Sequence, residues 1–586
     1  MSRLASHVLL GLLVLLTWSA CVHSGHVNFD TPWMVLQSPL RELGLAEALR
    51  LVLWDLGFAT RHALGAEYLP VRDLSVWLDL QLWPDNYRLH HLHNLLLHLT
   101  LCALTLELMR ELLGPSRMAL WAAALFAVHP AHAESVAWLV GRKDLLAGVF
   151  VVLGLLSWLR SGEGRFGRLF GLLCMLLACW SKKTAVVFPL LLLLILALSA
   201  KERRGAGERL AGVGMALIML LVVGTSLAVG EQMGFLAERR GDGLLELLWF
   251  QCWILMHYLG SFFAPWDLSV LYPEPTLGPS SSGPLWLAPT LTLAFLALLA
   301  WSWRRAPLVA LGLAWFLVAQ LPTSQLVPLQ NLVADRYLFL PSLGLALALA
   351  VLGSSGPPRF RSAAGLILAL LVLTGALAAR ERCAVWQDSV ALWADVVDKH
   401  PELARGHTAL AGALAAAGRH EQARGVIERG LLRLPGDAQL LEASGLRWLE
   451  SGDLERAEEA WRGALAREPR RRKAANNLAL VLRQMSRNDE ALLVAQQLVR
   501  THPAYPRGLT TLGTLLFEQG DLVAAERALQ ASVELDPRQA STLCNLGSVA
   551  FRQAQYDSAD RWWQRCLELE PEHPIAVEGL HHLGRP

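Results

Sequence analysis

The first 380 or so residues alternate between long apolar runs and short polar segments, a pattern typical of a protein with several membrane spans. Twelve apolar runs fall at about 9–22, 89–113, 118–128, 145–160, 166–180, 184–199, 210–229, 245–264, 285–303, 307–321, 336–353 and 363–380. A helix needs about 20 residues to cross a bilayer, and several of these runs are shorter. Short spans suit a bundle whose helix ends enclose a recess. The sequence therefore predicts an all-α, polytopic transmembrane helix bundle.

Short basic segments between the runs predict the orientation of the bundle. Arg3 and the run 9–22 resemble a signal peptide, which we interpret as an uncleaved first span with its N-terminus inside. Lysine and arginine concentrate in cytoplasmic loops. Four short loops are basic and are expected in the cytoplasm: 160–168, 201–204, 304–305 and 359–361.

These basic loops constrain the number of crossings. Three apolar runs separate loop 201–204 from loop 304–305, and an even number of them must cross if both loops are inside. We expect the run 245–264 to be interfacial or re-entrant. Eleven crossings then remain, and the C-terminal part lies outside the cytoplasm. If all twelve runs cross, that part lies inside.

The last third of the chain repeats with a period of 34 residues. One set of prolines marks the period: Pro401, Pro435, Pro469, Pro503, Pro537 and Pro571. Alanines hold a second phase: Ala423, Ala457, Ala491, Ala525 and Ala559. Turn residues hold a third: Gly418, Gly452, Ser486, Gly520 and Ala554. Small residues at a helix contact every 34 positions are the signature of tetratricopeptide repeats.

These patterns divide the chain into three parts. Residues 1–383 are predicted to form the transmembrane domain, with an outer loop at 23–88. Residues 384–401 are a connecting half repeat, and residues 402–586 hold five repeats. Stacked repeats form a superhelix whose concave face usually binds a protein or peptide.

Composition adds two exclusions. The net charge is +2, which gives no reason to propose nucleic acid as a partner. The eight cysteines are scattered without a C-x-x-C spacing, which argues against zinc and against a disulfide framework. Cys544 and Cys566, both in the repeats, are interpreted as buried free thiols.

One polar segment, 128–144, lies between two apolar runs and is dense in ionisable groups. They are His129, His132, Glu134, Arg142, Lys143 and Asp144. Such groups at a membrane edge usually face water, a cavity or each other. The segment is either a solvated loop or the rim of an active site. Asp30, just past the first run, also has two interpretations: it is either a helix N-cap before Pro32 or a functional carboxylate.

Taken together, these residues resemble a known family. The motifs are His129-Pro-Ala-His132-Ala-Glu134, Gly141-Arg142 with Asp144, Ser181-Lys182 and Asp335-Arg336-Tyr337-Leu-Phe-Leu-Pro341-Ser342. With the repeats after the last span, they are similar to the transmembrane and tetratricopeptide-repeat O-mannosyltransferases and their bacterial relatives. These enzymes fall within the GT-C superfamily of polytopic glycosyltransferases.

The resemblance implies an inverting transfer of a sugar from a polyprenyl-phosphate donor to Ser or Thr of a protein. It implies that Asp30 is the catalytic base, and Glu134 is a second catalytic candidate. The leaving group is a phosphate, so the reaction needs positive charge rather than a general acid. The residues expected to bind that phosphate are Arg142, Lys182, Lys183, Arg336 and Tyr337. Those expected to support them are His129, His132, Asp144 and Arg72.

The predicted partners are the lipid-linked sugar donor, membrane lipid and a protein or peptide acceptor in the repeat groove. No metal is expected at the site, and the alternative is a divalent cation held by His129, His132 and Glu134. The expected location is the inner membrane of a bacterium, with the repeats in the periplasm. Two rival functions are a non-catalytic scaffold that displays the repeats, and a transporter. A transporter should carry its polar residues at mid-span, where this chain is almost uncharged.

Overall fold

The structure is a computed structural model that describes residues 2–29, 32–161, 164–198, 206–233, 243–274, 285–355 and 357–584. Asp30 and the basic loop 201–204 lie outside these ranges. The chain divides into two compact units, residues 1–400 and 401–586. Within the described ranges both units are helical and neither contains a strand, which confirms the all-α fold class.

The first unit contains seventeen α-helices in its described part, joined by short turns. They are α1 (Arg3–Trp18), α2 (Leu45–Trp54), α3 (Phe58–Ala63), α4 (Pro70–Leu82), α5 (Tyr87–Leu113), α6 (Arg117–Ala127), α7 (Ala133–Ala137), α8 (Arg142–Ser161), α9 (Arg165–Ser181), α10 (Phe188–Leu198), α11 (Ala206–Met233), α12 (Leu244–Phe263), α13 (Leu287–Arg305), α14 (Pro307–Gln320), α15 (Phe339–Ser354), α16 (Pro358–Val385) and α17 (Ser389–Lys399).

Six of the described helices are long and apolar enough to cross a membrane. They are Arg3–His23, Tyr87–Leu113, Ala211–Gly230, Leu287–Arg305, Asp335–Ser354 and Arg361–Val385. Shorter apolar helices lie at Arg117–Ala127, Lys183–Ala197 and Pro307–Thr323. The chain is therefore a multi-pass membrane protein, while the number of crossings stays a prediction. Helices α14 and α15 pack backbone to backbone: a Cβ on Gly312 would lie 2.4 Å from the Gly344 carbonyl oxygen.

The two ends of the bundle differ in chemistry. At one end, Glu107 near the end of α5 binds Arg3, Arg110 and Arg160, the last two at 2.7 Å. His91, in the first turns of the same helix, lies 3.2 Å from the Gly25 carbonyl oxygen. Sixteen residues of helix separate His91 from Glu107, which is roughly 24 Å along the axis. The basic cluster and the Gly25 loop therefore lie at opposite ends of α5.

The Gly25 end is fastened by bonds between distant parts of the chain. Cys21, after α1, and Cys383, in α16, form a disulfide. The Gly25 amide donates to the Gln387 carbonyl oxygen at 2.8 Å, and the Asn28 amide donates to Ser389 Oγ at 2.8 Å. Helix α17, predicted as a connecting half repeat, thus packs on the loop that follows α1, within the first unit.

The second unit is a series of helix pairs. Its helices are α18 (Ala404–Ala416), α19 (His420–Arg433), α20 (Ala438–Glu450), α21 (Leu454–Arg467), α22 (Arg472–Gln484), α23 (Asn488–Thr501), α24 (Pro506–Gln519), α25 (Leu522–Leu535), α26 (Ala540–Arg552), α27 (Tyr556–Leu569) and α28 (Pro574–His582).

The repeat positions read from the sequence have clear structural roles in this unit. All five phased turn residues have φ between +59° and +88°, the left-handed conformation that ends a helix. All five phased alanines are completely buried. The period of 34 residues thus reflects one helix ending and one close helix contact per repeat, which confirms the repeat fold.

The interpretation of Cys544 and Cys566 as free thiols is wrong. These residues lie on the paired helices α26 and α27 with their Cα atoms 5.6 Å apart, and they form a disulfide. The Cys21–Cys383 bridge joins residues 362 positions apart. Spacing along the chain does not reveal pairs that only helix packing brings together. The described free thiols are Cys102, Cys174, Cys179 and Cys252.

Candidate active site

The polar segment 128–144 is a folded, buried part of the bundle. It forms a 3-10 turn at Pro130–His132, the short helix α7, a second 3-10 turn at Leu139–Gly141 and the start of α8. Every residue from 122 to 142 is buried, so the solvated-loop interpretation is wrong. The turns fold onto one another closely: a Cβ on Gly141 would lie 2.6 Å from the Glu134 carbonyl oxygen. No side chain fits there, which explains the glycine.

The two histidines of this segment bind other parts of the protein. His129 lies on Phe262, and its Nε2 donates to the Phe262 carbonyl oxygen at 3.1 Å, while its Nδ1 accepts from the Ala131 amide. His132 Nε2 lies 3.0 Å from Ser342 Oγ. Burial lowers the pKa of His129 to about 4, and it lowers the pKa of His132 well below its usual value. Both rings are therefore neutral and connect the segment to helices α12 and α15.

Glu134 of the segment pairs with Arg336, which lies just before α15. One carboxylate oxygen accepts from the Arg336 amide at 2.9 Å, and the other accepts from the Arg336 guanidinium. The guanidinium carbon lies 5.9 Å from the centre of the Trp138 ring and 5.1 Å from that of Tyr337. Backbone, carboxylate and two aromatic faces together fix the position of this arginine.

Two lysines approach the same aromatic rings. Lys182 pairs with Asp144, and its Nζ lies 5.9 Å from the Tyr337 ring centre. Lys143 Nζ lies 3.2 Å from the Glu67 carboxylate and 5.9 Å from the Trp138 ring centre. Burial lowers the pKa of Lys182, although Asp144 opposes this.

Lys183 completes the set. It lies near enough to Glu67 to help lower the pKa of that carboxyl group. We call Lys143, Lys182, Lys183 and Arg336 the cation cluster. It brings together three of the residues predicted to bind phosphate, and Tyr337 lies against two of its members.

Arg142 lies in a different environment. It is 1% exposed, it pairs with Asp79, and it donates to the Ser75 carbonyl oxygen at 3.1 Å. His93 Nδ1 also binds Asp79, at 2.6 Å. Burial alone would raise the pKa of Asp79, but the bonds from His93 and Arg142 lower it. Arg142 thus fastens α8 to α4.

Arg72 supports the loop before α4. Its guanidinium binds Asp73 at 2.7 Å and donates to the Leu64 carbonyl oxygen at 2.5 Å. Burial raises the pKa of Asp73 even though Arg72 and Arg61 oppose this. These bonds hold the loop that carries Glu67 beside the cation cluster.

The structure does not describe Asp30, the predicted base, but it does describe the residue before it. The Phe29 carbonyl oxygen accepts from Trp138 Nε1 at 2.7 Å, and the two rings are 5.0 Å apart. Phe29 is therefore anchored to the ring on which Lys143 and Arg336 lie.

Sequence reasoning missed Glu67 and Trp138. Glu67 lies five residues before Arg72, which the sequence predicts as a supporting residue, and it is the one carboxylate in the stretch 56–72. That proximity was the available signal. Trp138 is one of 22 tryptophans in an apolar chain, and nothing in its local sequence distinguishes it.

The described residues bring together one group of His, Cys, Asp or Glu side chains that could hold a metal ion, and it lies in the repeats. The group is Cys544, Cys566 and His573, and its two cysteines are joined by a disulfide. His129, His132 and Glu134 each bind a different protein group.

Comparisons with known proteins agree with the resemblance read from the sequence. A family model described as "Tetratricopeptide repeat" matches residues 443–507 and 510–574. The chain is 26% identical over 438 residues to "Protein O-mannosyl-transferase Tmtc3" of Drosophila melanogaster, covering 58% of this chain and 46% of that protein. It is 45% identical over 105 residues to "Protein O-mannosyl-transferase Tmtc1" of the same organism, covering 18% of this chain and 12% of that protein.

Solved structures are similar to the chain in part. The crystal structure of YrrB, described as a TPR protein, is 19% identical with a TM-score of 0.27, covering 32% of this chain and 96% of that one. The chain spans less than half the length of the curated relatives named above. The predicted resemblance is confirmed: the chain is similar to the protein O-mannosyl-transferases of this type and carries tetratricopeptide repeats.

Proposed function

We propose that the chain is a membrane glycosyltransferase of the GT-C type that uses a polyprenyl-phosphate sugar, with mannose as the sugar. The acceptor is a Ser or Thr hydroxyl of a protein outside the cytoplasm, and the repeats recruit that protein. The observation that carries the proposal is that three members of the cation cluster, Lys143, Lys182 and Arg336, lie on the rings of Trp138 and Tyr337. The similarity to curated O-mannosyl-transferases supports it.

The cation cluster suits a phosphate leaving group. Arginine presents five N–H donors in a planar fork, and the Glu134 carboxylate takes one of those of Arg336. Lys182 adds positive charge over the same Tyr337 ring, and Lys183 adds it near Glu67. We leave Arg142 out of the phosphate site, because its guanidinium is enclosed by Asp79 and backbone carbonyl groups.

The chemical step needs a base and no acid. The acceptor oxygen attacks the anomeric carbon of the sugar, and the bond from that carbon to the phosphate oxygen breaks with inversion. The acceptor proton passes to a carboxylate, and the polyprenyl phosphate leaves as an anion. We assign the base to Asp30. The support is that Asp30 follows Phe29 in the sequence, and Phe29 is bound to Trp138, the ring on which Lys143 and Arg336 lie.

Disulfides and charge support the side of the membrane. Disulfides persist in oxidising compartments and are rare in the cytosol. Cys21–Cys383 lies at the Gly25 end of the bundle, where Phe29 meets Trp138. Cys544–Cys566 lies in the repeats. We therefore assign both the cation cluster and the repeats to the outer side.

The opposite end of α5 supports the same orientation. It carries Arg3, Arg110 and Arg160 around Glu107, as expected for a cytoplasmic face. For a bacterial host, which the composition rich in Leu, Ala and Arg favours, the outer compartment is the periplasm.

A direct assay tests the proposal. Purified chain is incubated with a radiolabelled polyprenyl-phosphate mannose and a Ser/Thr-containing peptide, and labelled peptide is measured. Mass spectrometry of periplasmic glycopeptides from a deletion strain identifies the natural acceptors and the sugar. We expect the wild-type chain to produce labelled peptide and the Arg336→Ala variant to produce none. Peptide binding without sugar transfer, and an unchanged glycopeptide profile, would contradict the enzyme and favour the scaffold.

A further inference from the structure

Three of the cations in the cluster each have a carboxylate partner, and the three pairs differ in exposure. The Glu134 side chain that binds Arg336 is 1% exposed, and the Asp144 side chain that binds Lys182 is 4% exposed. The Glu67 side chain that binds Lys143 is 34% exposed. Among these three carboxylates, Glu67 is the one with substantial exposure to solvent.

This difference decides which pair can exchange with an incoming anion. Removing a cation from a buried carboxylate leaves an uncompensated charge, which is strongly unfavourable. Glu134 and Asp144 are in that position. Glu67 can turn toward water when it leaves Lys143, because a third of its side chain is already solvated. Of the three ion pairs, Glu67–Lys143 therefore needs the least free energy to separate.

The loop that carries Glu67 holds it in place. Gly65 has φ +93° and Ala66 has φ +56°, so a non-glycine residue adopts the left-handed conformation directly before Glu67. Side chains rarely adopt the φ of Gly65, so glycine is favoured at this position. Strained backbone of this kind persists where the surroundings over-determine it, and it is common at ligand sites.

Anchors on both sides of Glu67 supply that constraint. Tyr68 donates from its hydroxyl to the Leu53 carbonyl oxygen at 3.1 Å. Arg72 donates to the Leu64 carbonyl oxygen, and its Nη1 lies 3.8 Å from the Glu67 carboxylate. The carboxylate is thus presented to Lys143 from a fixed loop, with only its own side-chain torsions free to move it away.

We infer that the Glu67 carboxylate occupies a phosphate-binding position beside Lys143, and that the phosphate of a substrate binds by displacing it. The inference rests on the proposed function for the identity of that phosphate, a polyprenyl phosphate ester. It adds a binding position, Lys143 with Lys183 and Arg72 around it, and an internal competitor that keeps this position closed in the absence of donor.

The charges of the cluster support this exchange. Burial alone would raise the pKa of Glu67, but Lys143, Lys183 and Arg72 together lower it well below its usual value. Glu67 is therefore ionised at physiological pH and acts as an anion at this position. A phosphate that replaces it meets the same three cations with more acceptor oxygens.

Binding of farnesyl phosphate, a short polyprenyl monophosphate, tests the inference on the full chain in detergent. The dissociation constant is measured by equilibrium dialysis for wild type, Glu67→Gln and Glu67→Ala. Both variants remove the competing charge, so both should bind about fivefold more tightly, the scale of one partly exposed ion pair. Lys143→Gln should bind about tenfold more weakly, as expected for loss of a charge-assisted hydrogen bond.

Two further probes identify the source of the phosphate. Farnesol lacks the phosphate, so its dissociation constant should not change with the substitutions at Glu67 or Lys143. Inorganic phosphate reports on a soluble anion: if it binds as tightly as farnesyl phosphate and responds to the same variants, the position serves a free phosphate. A preference for farnesyl phosphate assigns it to a lipid.

The matched control is Glu42→Gln, the same change of charge at an exposed position of the outer loop. It should leave the dissociation constant unchanged. Equal or weaker binding by both Glu67 variants would overturn the inference, and so would binding that does not respond to Lys143→Gln. The assay requires no sugar transfer. Tighter binding by Glu67→Gln without transfer in any variant would therefore count against the proposed function alone.

Discussion

Glu134 and Arg336 are 202 residues apart in the sequence and share two hydrogen bonds, one to the Arg336 amide and one to its guanidinium. The carboxylate is almost fully buried, while the guanidinium faces the rings of Trp138 and Tyr337. The pair therefore joins the α7 segment to the start of α15. It also orients the cation that we assign to the donor phosphate.

Arg336→Ala is expected to cost both stability and activity. The substitution leaves the buried Glu134 carboxylate without its cation, which should reduce the free energy of unfolding by about 3 kcal/mol or more. The double variant Glu134→Gln/Arg336→Met removes both charges and should recover most of that loss. Thermal unfolding of the purified proteins in detergent measures both effects.

Sugar transfer separates structure from chemistry in the same variants. The double variant should remain inactive, because its recovered fold lacks the phosphate-binding cation. Transfer at wild-type rate by the double variant would exclude Arg336 from the proposed site.

Arg142→Lys provides a contrast with Arg336→Lys. Arg142 makes several hydrogen bonds in a closed environment, so replacing it should lower the unfolding temperature. The Arg142→Lys substitution should leave the affinity for farnesyl phosphate nearly unchanged. Arg336→Lys should weaken that affinity, since an ammonium group cannot form a bidentate pair with phosphate. Equal losses of affinity in the two variants would return Arg142 to the phosphate site.

The fold was largely predictable because its signals are local. Apolar runs mark the helices, and turn residues such as Gly452 and Ser486 recur every 34 positions because each repeat ends a helix in the same way. The contacts of the candidate site are non-local. Lys143 meets Glu67 across 76 residues, and Cys21 meets Cys383 across 362. Only helix packing determines such pairs, so the sequence indicated several charged residues without their partners.

The repeat unit is expected to fold without the bundle. Residues 401–586 should be expressed alone as a soluble helical protein, since each repeat buries its face on its neighbours. Ala491→Arg should destabilise this fragment by about 3 kcal/mol or more, because the alanine is fully buried and a charge there has no partner. Leu493→Arg, on the same helix but 66% exposed, is the matched control and should be tolerated. Circular dichroism with urea titration measures both, and equal stabilities would contradict the assigned helix contact.

The Cys544–Cys566 disulfide should stabilise the final pair of repeat helices. Its sequence separation of 22 residues corresponds to about 3 kcal/mol by loop-closure entropy. Reduction with dithiothreitol should lower the unfolding temperature of the repeat fragment. Cys544→Ala/Cys566→Ala should be less stable than oxidised wild type and should not respond to the reductant. If dithiothreitol lowered the unfolding temperature of that variant, the effect could not come from the Cys544–Cys566 disulfide.

The proposed side of the membrane can be tested with reporter fusions. Alkaline phosphatase is active only after export, so a fusion after Arg585 should be active and one after Gly205 inactive. The expectation follows from the basic cluster around Glu107 at one end of α5 and the disulfide at the other. The reverse pattern would place the cation cluster on the cytoplasmic side of the membrane. The proposed acceptor proteins, which are outside the cytoplasm, could not then reach it.

Asp30→Asn tests the assignment of the base. Asparagine keeps the size and most of the hydrogen bonding of aspartate, and it is nearly as good a helix N-cap. If Asp30 only caps a helix, transfer should survive the change. If Asp30 takes the acceptor proton, transfer should fall by about 100-fold or more, the usual scale of general-base catalysis, while farnesyl phosphate binding is retained. Asp85→Asn is the matched control and should transfer normally, because Asp85, between α4 and α5, is an exposed aspartate that pairs with Arg41. Near-normal transfer by Asp30→Asn would remove Asp30 from the mechanism. Glu134 and Asp144 would then be the next residues to examine, and both already pair with cations of the cluster.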